Sequence, residues 1–254
     1  MALDIQSAPS RVPARLDDRP VKKRIALVAL ATDHTSERDF ARICDPDRVG
    51  VYTNRIEFEN PTTRETLLKT GPRLTEAAAQ ILPGETVDVV AYGCTAASIV
   101  LGNDAVARSL STAKPDTPCV TPSSAAFDAF AALEARRVSL LTPYSPEVTD
   151  EMAQYFAVHG PEVVNAACFG LTDDRQMARI SEDSIIEAGI AACDSSADVL
   201  FLSCTALRAA VCIERIEDRL GKPVVSSNQA MVWRCLRLAG ITDPVKGYGR
   251  LFEL

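Results

Sequence analysis

Short apolar runs rich in Val, Ile, Leu and Ala punctuate this chain, as at Ile25–Leu30, Val89–Tyr92, Val138–Leu141 and Val199–Leu202. They are continuous rather than alternating, which is how strands covered on both faces of a parallel sheet read. Between them lie longer segments in which apolar residues return at helical spacing, among them 62–80 and 181–192. Strand–helix alternation of this kind predicts right-handed βαβ units.

The pattern occurs twice. Arg24-Ile-Ala-Leu-Val-Ala-Leu-Ala-Thr is matched by Arg137-Val-Ser-Leu-Leu-Thr-Pro-Tyr, and each run is followed by a polar, helix-opening stretch beginning at Asp33 and Ser145. Each half then reaches an apolar run ending in Cys-Thr, at Cys94-Thr95 and at Cys204-Thr205, which lie 70 residues after Arg24 and 67 after Arg137. Each continues into a Pro-led strand, a polar turn and a further helix: Pro118-Cys-Val-Thr-Pro-Ser-Ser before 125–135, and Pro223-Val-Val-Ser-Ser-Asn-Gln before 230–239. The predicted fold is α/β, two pseudo-symmetric doubly wound parallel-sheet domains with the active site between them. The predicted divisions are a disordered tail at 1–22, an N-terminal domain of 23–125 plus 229–254, and a C-terminal domain of 126–228. The last helix is expected to return to the first domain. Ligands of such sheets bind beyond the carboxyl ends of the strands. Thr32-Asp33, Gly93-Cys94-Thr95, Thr121-Pro122-Ser123, Thr142-Pro143-Tyr144, Ser203-Cys204-Thr205 and Ser226-Ser227-Asn228 all fall at such ends.

Composition narrows the function. A net charge of −7 argues against a nucleic-acid surface, which needs a basic stripe. No apolar run has the length of a membrane span. The N-terminal segment lacks the apolar core of a signal peptide, so a cytoplasmic location is expected. The 8 cysteines form no C-x-x-C pair and the 2 histidines are far apart in sequence, so neither a metal site nor a disulfide framework is expected. Two thiols at matched positions of a duplicated unit suit a proton transfer or an addition made from both sides of one small substrate. A dinucleotide site is disfavoured, since no G-x-G-x-x-G follows the first strand.

Gly-Cys-Thr-Ala-Ala-Ser at 93–98, Thr-Pro-Tyr at 142–144, Ser-Cys-Thr-Ala-Leu-Arg at 203–208 and Gly-Lys-Pro-Val-Val-Ser-Ser-Asn-Gln-Ala at 221–230 resemble four consecutive motifs of the Asp/Glu racemase superfamily. Within it they are most similar to the maleate isomerase and arylmalonate decarboxylase branch, over about residues 22–250. The resemblance implies catalysis without metal or cofactor, with Cys94 as nucleophile and Cys204 as acid/base. Decarboxylases of this branch typically keep only the second cysteine, so the presence of both points toward isomerase or racemase chemistry. The branch commonly forms dimers, so a homo-oligomer is expected.

Both thiols are expected at strand-to-helix turns, where N–H groups lower a thiol pKa and grip a carboxylate. Thr95, Ala96, Thr205 and Ala206 would supply those donors, and Tyr144 and Asn228 would contact substrate. The sequence departs from the maleate isomerase pattern at two family asparagines, replaced here by Asp33 and Asp174. An ionised Asp accepts hydrogen bonds but cannot donate them. The expected substrate is therefore a small carboxylate bearing a cationic group. The Ala-Thr-Asp-x-Thr-x-Glu stretch at 31–37 resembles the ectoine-utilisation proteins of this branch, which points to ectoine or hydroxyectoine breakdown. Other readings stay open: a maleate isomerase, an amino-acid racemase, or a metabolite-binding protein on the same scaffold. Asp33 and Asp174 also fit helix caps, Tyr144 a packing residue and Asn228 a turn.

Overall fold

A computed structural model of the chain describes residues 7–254. Eight strands form two four-stranded sheets, all pairs parallel. In the first half they are β1 (Lys23–Leu30), β2 (Val49–Ile56), β3 (Val89–Gly93) and β4 (Cys119–Val120), in the order β2-β1-β3-β4. The second half repeats that order as β6-β5-β7-β8, with β5 (Arg137–Thr142), β6 (Glu162–Cys168), β7 (Val199–Leu202) and β8 (Val224–Ser226). Identical strand order in both halves gives the repeat a structural meaning: β1 corresponds to β5, and β3 to β7.

The helices are α1 (Ser36–Ile43), α2 (Arg64–Leu68), α3 (Leu74–Ala79), α4 (Thr95–Leu101), α5 (Asn103–Ala113) and α6 (Pro122–Ala132). After β5 come α7 (Pro146–His159), α8 (Asp174–Met177), α9 (Glu182–Ala192), α10 (Ile213–Leu220) and α11 (Ser227–Leu238). No helix among the described residues is long and apolar enough to cross a membrane. Of the segment expected to be a disordered tail, residues 1–6 lie outside the described residues. Residues 7–22 form no helix or strand, although Arg19 bonds Asp88 and Thr86 beside the first sheet.

β3 and β7 are buried along their whole length, and β1 in all but its first residue. That burial on both faces is the reason their sequences do not alternate. Phe201 of β7 packs edge-on against Phe130 of α6 and Phe156 of α7, tying the second sheet to its covering helices.

Three expectations change in detail. The helical segment at 62–80 is not one helix. Pro72 has no N–H and disfavours helical backbone at Gly71, so the segment breaks into α2, a 3₁₀ turn at Gly71–Arg73, and α3. The other two concern α6 and α11, which start three residues earlier than the apolar pattern indicates. Thr121 and Ser226 cap them, and Ser124 and Gln229 bond back to complete the capping boxes. α11 packs on α6 and also on α1 and β3.

Candidate active site

β3 delivers Cys94 to the start of α4 in extended conformation, where its Sγ accepts the Ala97 N–H at 3.4 Å. β7 delivers Cys204 two residues past its end, and the Cys204 Sγ accepts the Ala206 N–H at 3.3 Å. The two settings differ. A helix follows Cys94, whereas an irregular turn follows Cys204 and α10 begins only at Ile213. The expectation that both thiols face a helix N-terminus therefore holds for Cys94 alone. The remaining symmetry is carried by side chains. The Thr205 hydroxyl donates to Gly93 O at 3.2 Å, and the Thr35 hydroxyl donates to Ala206 O at 2.8 Å. These bonds cross between the halves and hold the two Cys-Thr segments together.

Cys94 and Cys204 line one tight, buried cavity of about 10 Å³, at the carboxyl ends of the central strands. Asp33, Ala96, Tyr144, Asp174, Thr205 and Ala206 line it as well. Thr95 and Asn228 do not. The Thr95 hydroxyl donates to Ser227 Oγ behind the cavity wall. The Asn228 amide donates to Asp39 Oδ2 at 2.8 Å and to Thr205 O at 2.9 Å, so its donors are used in holding α11 to α1 and to the second thiol loop. The cavity is completed by Leu30, Phe58, Thr62 and Leu67, none of which the motifs indicated. Phe58 and Thr62 sit on the connection between β2 and α2, far in sequence from either cysteine. Their only local signal was the Asn60-Pro61 turn.

The two acidic residues have different partners. Asp33 Oδ1 accepts the Thr35 and Ser36 N–H groups at 2.6 and 2.8 Å, and its Oδ2 accepts the Ser36 hydroxyl. Asp33 is not the N-cap of α1, which is Thr35, but its carboxylate takes up N–H groups just ahead of that helix while also lining the cavity. Asp174 is not a cap; Asp173 accepts the Arg175 N–H and caps α8 instead. The Asp174 carboxylate accepts the Thr32 hydroxyl at 2.8 Å and the Thr62 hydroxyl at 3.3 Å, and its N–H donates to Asn60 Oδ1. With the Thr62 N–H donated to Thr172 O, these bonds latch the 57–63 segment over the cavity.

Burial dominates the electrostatics. It pushes the Asp33 and Asp174 carboxyls above the ordinary carboxylate range, against the hydrogen bonds they accept. It also pushes the Cys94 thiol well above its usual value, with the Asp174 charge the next cause and the Ala97 N–H opposing. Cys204 rises to about 12 for the same two reasons, and the Tyr144 hydroxyl and the Ala206 N–H pull it back. The expectation of thiols made acidic by backbone dipoles is thus reversed in the closed cavity. In a space shut off from water, desolvation outweighs a few N–H dipoles. Among the described residues no cluster of His, Cys, Asp and Glu could hold a metal ion.

A family model described as arylmalonate decarboxylase matches residues 72–252, well over half of the chain. This chain belongs to the arylmalonate decarboxylase family. The arylmalonate decarboxylase of Bordetella bronchiseptica is 35% identical over 139 residues, a match spanning 54% of this chain and 58% of that protein. The maleate isomerase of Geobacillus stearothermophilus is 26% identical over 210 residues, covering 80% of this chain and 83% of its own. Among solved structures, a cysteine variant of the Pseudomonas putida S16 maleate isomerase with maleate superposes with a TM-score of 0.83 at 21% identity, covering 91% of this chain and 97% of that one. A liganded double mutant of arylmalonate decarboxylase superposes with a TM-score of 0.79 at 28% identity, covering 91% and 99%. Family membership and the two parallel four-stranded sheets are thus established together.

Proposed function

We propose that this member of the arylmalonate decarboxylase family is a cofactor-independent isomerase or epimerase that works with two opposed thiols on a small carboxylate. The observation that carries the reading is that Cys94 and Cys204, from matched strands of a duplicated fold, line one closed cavity with Tyr144 and Asp174 between the halves. A binding protein needs no such thiol pair. A structure of a Nocardia farcinica maleate isomerase variant holds a covalently bound succinylcysteine, so thiol addition has a precedent on this fold.

In the proposed cycle the Cys94 thiol loses its proton to water as substrate enters, and a cation or N–H donor of the substrate faces the thiolate left behind. The Cys94 thiolate then removes the proton from the carbon beside the carboxylate, or adds to that carbon when it is unsaturated. The Cys204 thiol delivers a proton to the opposite face, and Tyr144 holds the resulting thiolate. After proton transfer Cys94 is the thiol and Cys204 the thiolate, and proton exchange with water on product release resets the pair. After addition, rotation about the new single bond lets Cys204 take its proton back as the Cys94 carbon–sulfur bond breaks, so no oxidant or reductant is consumed. Ala96 lines the cavity at the start of α4, where its N–H is the candidate carboxylate donor, whereas the Ala206 N–H is already taken by Cys204 Sγ.

The substrate class follows from Asp174, with Asp33 secondary because its carboxylate is already occupied by Thr35 and Ser36. An ionised Asp174 between two thiols favours a group bearing positive charge or N–H donors, as in the cyclic amidinium carboxylates ectoine and hydroxyectoine. We place the protein in the degradation of such compounds. Maleate is the second reading, favoured by the isomerases that match along most of the chain. It requires Asp174 to be protonated, because a neutral carboxyl donates a hydrogen bond as an amide does.

Incubation with ectoine, hydroxyectoine, maleate and aspartate in D2O, followed by NMR beside a Cys94→Ala control, tests the proposal. Exchange or conversion of an ectoine-type compound, abolished in the variant, is the expected result. Turnover of maleate at a normal rate would replace the cationic-substrate reading. Deuterium at the alpha carbon of aspartate would indicate a racemase. No reaction with any of the four would count against an isomerase of this substrate class.

A further inference from the structure

An open cleft of about 740 Å³ lies beside the thiol cavity. On a chain whose net charge is −7, its lining is basic: Arg38, Arg175, Arg179 and Arg208, with His34, face a single carboxylate, Asp173. Asp173 is already engaged by the Arg175 guanidinium in a two-pronged ion pair. Arg38 and Arg179 have no ion-pair partner among the described residues. Arg208 donates to Ile180 O at 2.8 Å, yet its Nε is buried without a partner. A buried donor left unmatched is costly, and a cluster of guanidinium groups repels itself unless an anion is shared.

The cleft and the cavity share their wall. Three segments contribute to both spaces: Asp33 faces the cavity while His34 and Thr35 face the cleft, Asp174 the cavity while Arg175 the cleft, and Ala206 the cavity while Arg208 the cleft. The wall is thus about one residue thick, closed by the Thr35 hydroxyl on Ala206 O. On the 174–175 segment the acid faces inward and the guanidinium outward, while Asp33 is an inward acid on the first segment and Arg208 an outward guanidinium on the third.

We infer that this outer cleft is an anion-binding site, taking a multiply charged phosphate or carboxylate group through Arg38, Arg179 and Arg208. Planar guanidinium forks suit both groups, and a low-dielectric wall on one side focuses the field. The site is independent of the chemistry proposed for the cavity. An anion held there lies against the segments that carry Asp33, Asp174 and Ala206.

The test is calorimetric titration of the full-length protein with two probes, inorganic pyrophosphate for the phosphate source and citrate for the carboxylate source, at low salt and again at higher salt. Binding of either probe, weakened by salt and reduced about tenfold in an Arg38→Gln/Arg179→Gln double variant, is the expected result. The probe that binds more tightly names the source. Cys94→Ala should bind the probe as the wild type does, since its side chain is not in the cleft. An unchanged melting temperature of the double variant would exclude misfolding as the cause of any loss. Absence of binding by both probes, or binding that the double variant leaves unchanged, would overturn the inference without touching the thiol mechanism.

Discussion

Asp174 shares one desolvated space with two thiols, so its charge raises the proton affinity of both. Asp174→Asn removes that charge while keeping a side chain that still accepts the Thr32 hydroxyl. The variant should alkylate at Cys94 about tenfold faster than wild type with neutral iodoacetamide, because loss of the charge lowers the thiol's proton affinity. It should also bind dicarboxylates better and cation-bearing substrates worse; an unchanged substrate preference would remove Asp174 from specificity. The thiols themselves carry the reaction. Cys94→Ala and Cys204→Ala should each lower turnover by about 10²–10⁴-fold at nearly unchanged melting temperature, which steady-state kinetics on a responsive substrate would show. At this scale the strand ends singled out in the sequence bring Cys94, Cys204 and Tyr144 to the cavity lining, because strand ends of a duplicated unit converge, and Asp174, indicated by resemblance alone, lines it too. The sequence could not tell that neither Asp33 nor Asp174 is an N-cap, the caps being Thr35 and Asp173, because all of these lie near helix starts and only the partners distinguish them.

Between elements, the junction of α1 with α11 has a pH signature. Asp39 of α1 is buried, and desolvation raises its carboxyl to about 7 despite the Asn228 amide and the Arg42 charge. A carboxyl whose folded pKa exceeds its unfolded value of 3.8 binds its proton more tightly when folded. Its stabilising contribution is complete below about pH 4 and is lost as pH rises toward 7. Asp39→Asn should therefore raise the melting temperature at pH 8 more than at pH 5, by a free energy on the order of 2 kcal/mol; an equal effect at both values would refute the linkage. Asn228→Ala breaks the same junction and leaves a buried carboxylate without its donor. It should cost roughly 1–3 kcal/mol in denaturant unfolding. Helix positions were readable from periodicity and caps. The break at Gly71-Pro72 was present in the sequence too, but the apolar spacing on either side concealed it.

For the whole molecule, closure of the cavity sets the order in which the cysteines react. Cys94 and Cys204 are shut in, whereas Cys119, Cys168 and Cys193 are partly exposed, and burial pushes the Cys119 thiol up to about 12. Peptide mass spectrometry after brief iodoacetamide treatment should find label first at Cys168 and Cys193. Equal labelling of Cys94 at the earliest time point would mean that the cavity stands open in solution. The latch that closes it joins the halves through Thr62 to Thr172 and Asn60 to Asp174. Thr62→Val removes one bond to Asp174 and should loosen that closure.

The sequence alone determined the repeat, the parallel sheets and the convergence of the two Cys-Thr segments, because continuous apolar runs and matched spacing constrain chain topology directly. Only the tertiary structure decided which strand-end residues face the cavity, that Asn228 and Thr95 stand behind its wall, and that Phe58 and Thr62 cover it. It also decided the thiols' proton affinity. Motifs identify dipoles near a sulfur, but the desolvation that outweighs them comes from residues distant along the chain.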